Sequence, residues 1–210
     1  KYALDAAENA QLARPDRLIL LSPMIGITRF ARLTGIAGLP AVLPSFAKAA
    51  WLSIVPEFNP FKYNSFPVNG GRQSFRLTQA LQDQIVRMAN ADGLKTLAPI
   101  LTFQSVMDFT VSTRAIIASL YAYLPANGSE LVLFDVNRSV KFGPLLRRSA
   151  ETALARTLPE LPQPYRITVI GNERQNPTAT FARVIDAGST TERVQDLGIR
   201  YPPEIFSMSH

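Results

Sequence analysis

The stretch PILTFQSVMDFTV (residues 99–111) decides the fold, because an apolar run leads there to a single carboxylate, Asp108. Two further short apolar runs, at residues 18–21 and 131–134, flank it along the chain. In none of the three runs do polar and apolar residues alternate, and such continuous runs are typical of strands buried on both faces, as in a parallel sheet. We therefore expect three buried strands of a mostly parallel sheet.

Helical patterns separate these runs. Residues 2–12 are rich in alanine, and a helix there must end before Pro15. Three further segments repeat apolar or small residues at helical spacing: Leu77, Leu81, Ile85 and Met88; Val111, Ala115, Ala118 and Ala122; Leu146, Ala150, Ala153 and Thr157. Residues 165–170 alternate and predict an edge or surface strand, and residues 172–200 look irregular apart from a strand over 181–185. This alternation of helix and strand indicates the α/β class with a mostly parallel sheet.

The segment 27–75 differs in composition from the rest of the chain. Its prolines and glycines interleave with aromatic residues, which favours short helices joined by proline turns. An insertion after the C-terminal end of a strand is placed to cover a ligand crevice. We therefore expect a core at 1–26, a cap at 27–75, and a second core segment at 76–210 that carries an insertion at about 138–200. The candidate substrate-binding residues of the cap are its aromatic side chains Phe30, Phe46, Trp51, Phe58 and Tyr63.

Composition excludes several classes of function. The 210 residues contain no cysteine and one histidine, so a disulfide framework and a zinc site built on thiolates are excluded, and we expect no metal. No phosphate-binding glycine motif occurs, so we expect no nucleotide cofactor. The net charge is +6, but the basic residues are scattered rather than clustered in a stripe, which argues against a nucleic-acid partner.

One basic and apolar stretch stands out. No acidic residue lies between Asp16 and Glu57, whereas Arg29, Arg32 and Lys48 interrupt a very apolar sequence. Such a surface suits an anionic or amphiphilic partner, including peripheral contact with a membrane. The alternative interpretation is a solvated rim on a packed insertion.

The residues left for catalysis are Asp108 and the only histidine, His210. A Ser-His-Asp device needs a carboxylate to orient the imidazole, and in the α/β-hydrolase order the aspartate precedes the histidine, as here. The G-x-S-x-G motif that would carry the nucleophile is absent from these 210 residues. Three alternatives remain open: Asp108 as an N-cap of the next helix, Asp135 as the acid, and His210 as the remnant of a purification tag.

Four segments carry a resemblance to a known family: RLILLSP (17–23), NPFKYNSFPVN (59–69), the strand leading to Asp108 together with GSELVLFD (128–135), and YPPEIFSMSH (201–210). The chain resembles the α/β-hydrolases of the serine aminopeptidase, lysophospholipase and monoacylglycerol-lipase type, particularly a bacterial subgroup. The resemblance implies a partial α/β-hydrolase fold with an inserted helical cap. It also implies a cytoplasmic or membrane-associated protein.

By that resemblance Asp108 is the triad acid, His210 is the general base, and the nucleophilic serine lies upstream of Lys1. The chain departs from the family pattern because about seventy residues separate Phe134 from His210. The implied reaction is hydrolysis of a small-molecule or lipid ester, such as a lysophospholipid or monoacylglycerol, through an acyl-enzyme. The alternatives are a non-catalytic homologue used for binding and a module that interacts with membrane surfaces through residues 27–72.

Overall fold

A computed structural model describes residues 1–25, 51–53, 66–106, 108, 111–137, 157–172 and 178–202. The chain divides into two compact units, which are Lys1–Ile25 with Gln84–His210, and Gly26–Asp83. The larger unit contains the main sheet. In the smaller unit, two short strands pair in antiparallel fashion.

The described elements follow in chain order: α1 (Tyr2–Glu8), β1 (Leu18–Leu21), β2 (Trp51–Ser53), β3 (Phe66–Pro67), α2 (Val68–Asn90), a 3-10 turn (Gly93–Thr96), β4 (Ile100–Ser105), α3 (Thr113–Ser119), a 3-10 turn (Tyr121–Tyr123), β5 (Glu130–Asp135), β6 (Arg166–Asn172), β7 (Ala179–Ile185) and β8 (Glu192–Arg200).

The main sheet has six strands in the order β1-β4-β5-β6-β7-β8. The first four are mutually parallel, whereas β7 and β8 are antiparallel to their neighbours. The α/β class and the parallel orientation of the strands formed by the three apolar runs are therefore confirmed. The sheet is mixed because the last two strands are joined by short connections, which permit only antiparallel pairing.

On one face of this sheet, alternate side chains of three adjacent strands are buried in two rows. One row consists of Thr102, Leu131 and Ile167, and the other of Gln104, Leu133 and Val169. Near the start of β5, the buried Tyr121 and Tyr165 rings pack edge to face, with centroids 4.6 Å apart. The Tyr121 hydroxyl donates to the Glu130 carbonyl at 2.6 Å, and burial raises the pKa of Tyr165 to about 12.

The expectation that all three apolar runs are buried on both faces is wrong for β1. This strand lies at the edge of the described sheet, and its Ile19 and Leu21 side chains are 63% and 72% exposed. In the described sheet β1 has only β4 beside it, so its side chains are covered by those of one neighbouring strand instead of two. One face of β1 therefore presents apolar side chains to the surface.

Two strand predictions need correction. The strand predicted at the edge or surface over residues 165–170 is β6, which lies between β5 and β7 and buries Ile167 and Val169. An interior strand can contain polar residues when their side chains are hydrogen-bonded. In β6, Thr168 Oγ1 donates to Glu130 Oε1 at 2.7 Å. The strand over 181–185 is confirmed within β7, but the region after it is not irregular, because β8 completes a hairpin.

The helix predictions succeed in position and fail in detail. Helix α1 ends at Glu8 rather than near Leu12, and α2 confirms the helix around residues 77–88, although Leu77 is 59% exposed. Of the predicted face, Val111, which precedes α3, is buried, but Ala115 and Ala118 within α3 are not. Thr113, Ile116 and Ile117 are buried instead, because larger apolar side chains gain more from burial than alanine. The helix predicted from the spacing of Leu146, Ala150, Ala153 and Thr157 lies almost wholly outside the described residues.

Helix α1 is fixed to the end of α2 by polar contacts. Gln84 Nε2 donates to Asp5 Oδ1 at 2.8 Å and lies 3.1 Å from Glu8 Oε2, while Lys1 forms an ion pair with Asp5 at 2.9 Å. The Gln84 amide, and then the Lys1 ammonium, lower the pKa of Asp5. These contacts join two helices that are far apart in the sequence.

Candidate active site at the carboxyl ends of β4 and β5

Asp108 lies just beyond the carboxyl end of β4. The ladder between β4 and β5 ends with the Ser105–Phe134 pair, and the Val106 amide still donates to the Phe134 carbonyl at 2.9 Å. The Asp108 amide then donates to the Ser105 carbonyl at 3.3 Å, which turns the chain. Asp108 therefore lies at the sheet edge where ligands bind in open parallel sheets.

Hydrogen bonds fix the orientation of the Asp108 carboxylate. Its Oδ1 accepts from the Val111 amide at 2.8 Å, and its Oδ2 accepts from Gln104 Nε2 at 3.2 Å. Gln104 is 1% exposed, and the same nitrogen contacts the Ser105 and Val111 carbonyls at 3.1 Å. A partly exposed carboxylate that is held on both oxygens is preorganised to orient a second group.

The alternative in which Asp108 caps the following helix is wrong. The N-cap of α3 is Ser112, whose hydroxyl accepts from the Ala115 amide at 3.2 Å. Asp108 instead closes a short turn ahead of the helix through Val111. Its carboxylate therefore does not serve as the helix cap that the sequence also permitted.

Asn137 lies just beyond the carboxyl end of the neighbouring strand β5 and contacts two distant parts of the chain. It follows β5 by two residues, is 2% exposed, and has a left-handed backbone with φ of 57°. Its Nδ2 donates to the Pro202 carbonyl at 2.7 Å, and its backbone amide donates to Asn172 Oδ1 at the end of β6. The chain that leaves the sheet after β8 is thereby bound at the carboxyl end of β5.

The other candidate residues are placed as follows. Asp135 is the last residue of β5 and pairs with Gly171 in the ladder. His210 lies outside the described residues, as do Phe30, Phe46, Phe58 and Tyr63 of the expected cap. Trp51 lies in β2, but its side chain is not described. The structure thus positions Asp108 and leaves the pairing of Asp108 with His210 as a prediction.

Sequence reasoning missed the residues that organise this edge. Gln104 is the one strongly polar side chain inside the apolar run of β4, and that interruption was a usable signal. The left-handed backbone of Asn137 is typical of an asparagine in a turn. Nothing local in the sequence indicates its contacts with Asn172 and Pro202, because both depend on the return of the chain.

No group of three or more metal-ligating side chains occurs among the described residues. Within that same part of the chain, no helix combines the length and the apolar character needed to cross a membrane. Comparison with models of known protein families, with curated protein sequences and with solved structures found no significant match.

Proposed function

We propose that this chain forms the C-terminal part of an α/β-hydrolase-type serine hydrolase that cleaves carboxylic esters through an acyl-enzyme. In this proposal Asp108 is the acid of the triad, His210 is the general base, and the nucleophilic serine lies N-terminal to Lys1. The parallel order β1-β4-β5, with a carboxylate just after β4, supports it. The order of acid and base along the chain is the one that this class of enzyme uses.

A single observation carries the proposal, namely the hydrogen bond between Asn137 and the Pro202 carbonyl. It binds the segment leading to His210 at the end of β5, the strand adjacent to the one that presents Asp108. Eight residues follow Pro202 up to His210, and such a stretch spans at most about 29 Å when extended. Adjacent strands lie only about 5 Å apart, so His210 is within reach of Asp108.

This observation also accounts for the long separation between Phe134 and His210. Strands β6, β7 and β8 extend the sheet beyond β5, and Pro202, two residues after β8, returns to Asn137. The intervening residues therefore begin and end at the same point of the sheet. A minimal hydrolase could acquire them without moving its histidine.

The chemistry assigned to these residues is proton transfer. His210 would take the proton from the serine hydroxyl as it attacks the ester carbonyl, and would return it to the leaving alcohol. Asp108 would hold the imidazole in the required tautomer and stabilise its charged form. The bonds from Val111 and Gln104 suit Asp108 to that role, because they leave the carboxylate little freedom to turn.

The exposed face of β1 supports an upstream location for the remaining parts of the site. Ile19 and Leu21 present apolar surface at the edge of the described sheet, where a further strand and its helix could add. The proposal assigns the serine and the oxyanion-hole donors to such upstream elements.

The proposed substrate is a lipid-like ester, with the apolar and basic segment 27–75 binding the acyl chain. Support comes from the absence of acidic residues between Asp16 and Glu57. We expect the complete enzyme to prefer long-chain monoacylglycerols or lysophospholipids to short soluble esters. The reverse preference would remove the lipid assignment and leave the esterase assignment intact.

The 210-residue chain by itself is expected to hydrolyse p-nitrophenyl esters at the background rate, because it lacks the nucleophile. A fluorophosphonate probe should label a serine N-terminal to Lys1 in the upstream-extended protein and should label none of the serines within residues 1–210. Robust turnover by the isolated chain, or labelling of a serine within it, would refute this placement of the nucleophile. Failure of the probe to label the extended protein would favour the non-catalytic homologue.

A further inference from the structure

The turn before β5 contains an asparagine–glycine pair at the protein surface. Asn127 is half-buried and Gly128 is exposed, and the backbone φ of Gly128 is 83°. Within the described part of the chain, neither the Asn127 carbonyl nor the Gly128 amide takes part in a hydrogen bond. A side-chain carbon added at Gly128 would meet no atom within 4 Å. The peptide unit between the two residues can therefore rotate without breaking a hydrogen bond or creating a clash.

The Asn127 side chain, by contrast, is held in one orientation. Its Oδ1 accepts from the Ser129 amide at 3.2 Å and from the Ser129 hydroxyl at 2.6 Å. That hydroxyl accepts from the Ile100 amide at 2.9 Å, so its single proton is left for Asn127. At the other end of the same carboxamide, Nδ2 donates to the Leu97 carbonyl at 3.1 Å. Two donors on Oδ1 thus polarise the carboxamide carbon, Cγ.

We propose that Asn127 is a site of spontaneous modification, at which the chain converts its own asparagine to an aspartyl or isoaspartyl residue with water as the only co-reactant. The Gly128 nitrogen gives its proton to hydroxide and attacks Cγ, and the two Ser129 donors stabilise the negative charge that develops on Oδ1. The Cγ–Nδ2 bond then breaks, and ammonia leaves after taking a proton from water, which regenerates hydroxide. Water finally opens the five-membered imide at either of its two carbonyls.

The modification would remove contacts that join the amino ends of the parallel strands. An aspartate at position 127 has no donor for the Leu97 carbonyl, and its carboxylate oxygen would repel that carbonyl. An isoaspartyl linkage also lengthens the main chain before Ser129, whose hydroxyl and carbonyl accept from the Ile100 and Arg166 amides. Conversion should therefore loosen the beginnings of β4, β5 and β6.

The chain contains its own control, since a second asparagine–glycine pair, Asn69 and Gly70, lies in helix α2. A helical backbone does not accommodate the five-membered imide, so α2 should protect Asn69. The wild-type chain is incubated at mildly alkaline pH, once folded and once in guanidinium chloride, and peptide mass spectrometry measures the rate of conversion at each asparagine. Folding should slow the reaction of Asn69 by at least about tenfold. It should leave the reaction of Asn127 at least as fast as in the denaturant.

A slower reaction of Asn127 in the folded chain than in the denaturant would overturn the proposal, because it would show that the fold protects this residue. Equal rates at Asn127 and Asn69 in the folded chain would overturn it as well. As a second measurement, Asn127→Asp should lower the urea midpoint of unfolding, whereas Asn69→Asp, at an exposed position, should not. An unchanged midpoint for Asn127→Asp would contradict the stabilising role of the bond to Leu97.

This inference is independent of the proposed hydrolase function. Asn127 precedes the amino end of β5, whereas Asp108 lies beyond the carboxyl end of the parallel strand β4, so the two residues lie at opposite ends of the sheet. Neither measurement involves Asp108 or His210, and their failure would leave the proposed triad standing.

Discussion

Replacing Asp108 by asparagine in the upstream-extended enzyme should lower kcat for ester hydrolysis by about 10⁴-fold, with little change in KM. The amide retains an oxygen for the Val111 hydrogen bond, so the turn should persist. Its NH2 group, however, cannot accept from the imidazole, and it removes the negative charge that stabilises the imidazolium. Steady-state kinetics with a chromogenic ester measure the effect, and unfolding in urea checks that the variant is folded.

Asp135→Asn is the matched control for that experiment. Asp135 ends the adjacent strand β5 and was the rival candidate for the acid. Its substitution should leave kcat within a few-fold of the wild type. A large loss from Asp135→Asn, with near-normal turnover by Asp108→Asn, would transfer the role of the acid to β5.

Leu133→Ala should lower the free energy of unfolding by about 3–4 kcal/mol. Leu133 is fully buried at the centre of β5, and its register partners Gln104 and Val169 are also buried, so the cavity has little room to collapse. Urea unfolding of the 210-residue chain, followed by circular dichroism, measures the loss.

Leu77→Ala provides the same chemical change at an exposed position. Leu77 was expected on the buried face of its helix, but it is more than half exposed in α2. Its substitution should change the free energy of unfolding by less than about 0.5 kcal/mol. A large loss at Leu77, or a small one at Leu133, would contradict the core as described.

The sequence predicted strands β1, β4, β5 and part of β7, but it misplaced β6 and missed β8. The runs that became β1, β4 and β5 were recognisable because buried parallel strands need continuous apolar side chains. The strand β6 was misplaced to an edge because its alternation resembles a half-exposed strand. Its polar Thr168 is in fact satisfied by Glu130 across the sheet, a tertiary contact that no local pattern encodes.

The sequence likewise indicated one residue of the candidate site and missed the others. Asp108 could be found from the sequence, since it directly follows an apolar run, and its position at the carboxyl end of a strand follows from that. The contribution of Gln104 required the turn geometry that brings its amide to the Asp108 carboxylate. The contribution of Asn137 required the path of three strands, because Pro202 returns to it only after β8.

The most direct test of the central claim, that Asp108 and His210 meet at this edge of the sheet, is an NMR titration of the imidazole. His210 is the only histidine in the sequence, so its resonances are unambiguous. A carboxylate beside it should raise the pKa of His210 above that of a free imidazole, and Asp108→Asn should return it to the ordinary value, whereas the exposed Asp196→Asn should have no effect. A pKa of His210 at the ordinary value, and indifferent to Asp108→Asn, would contradict the account.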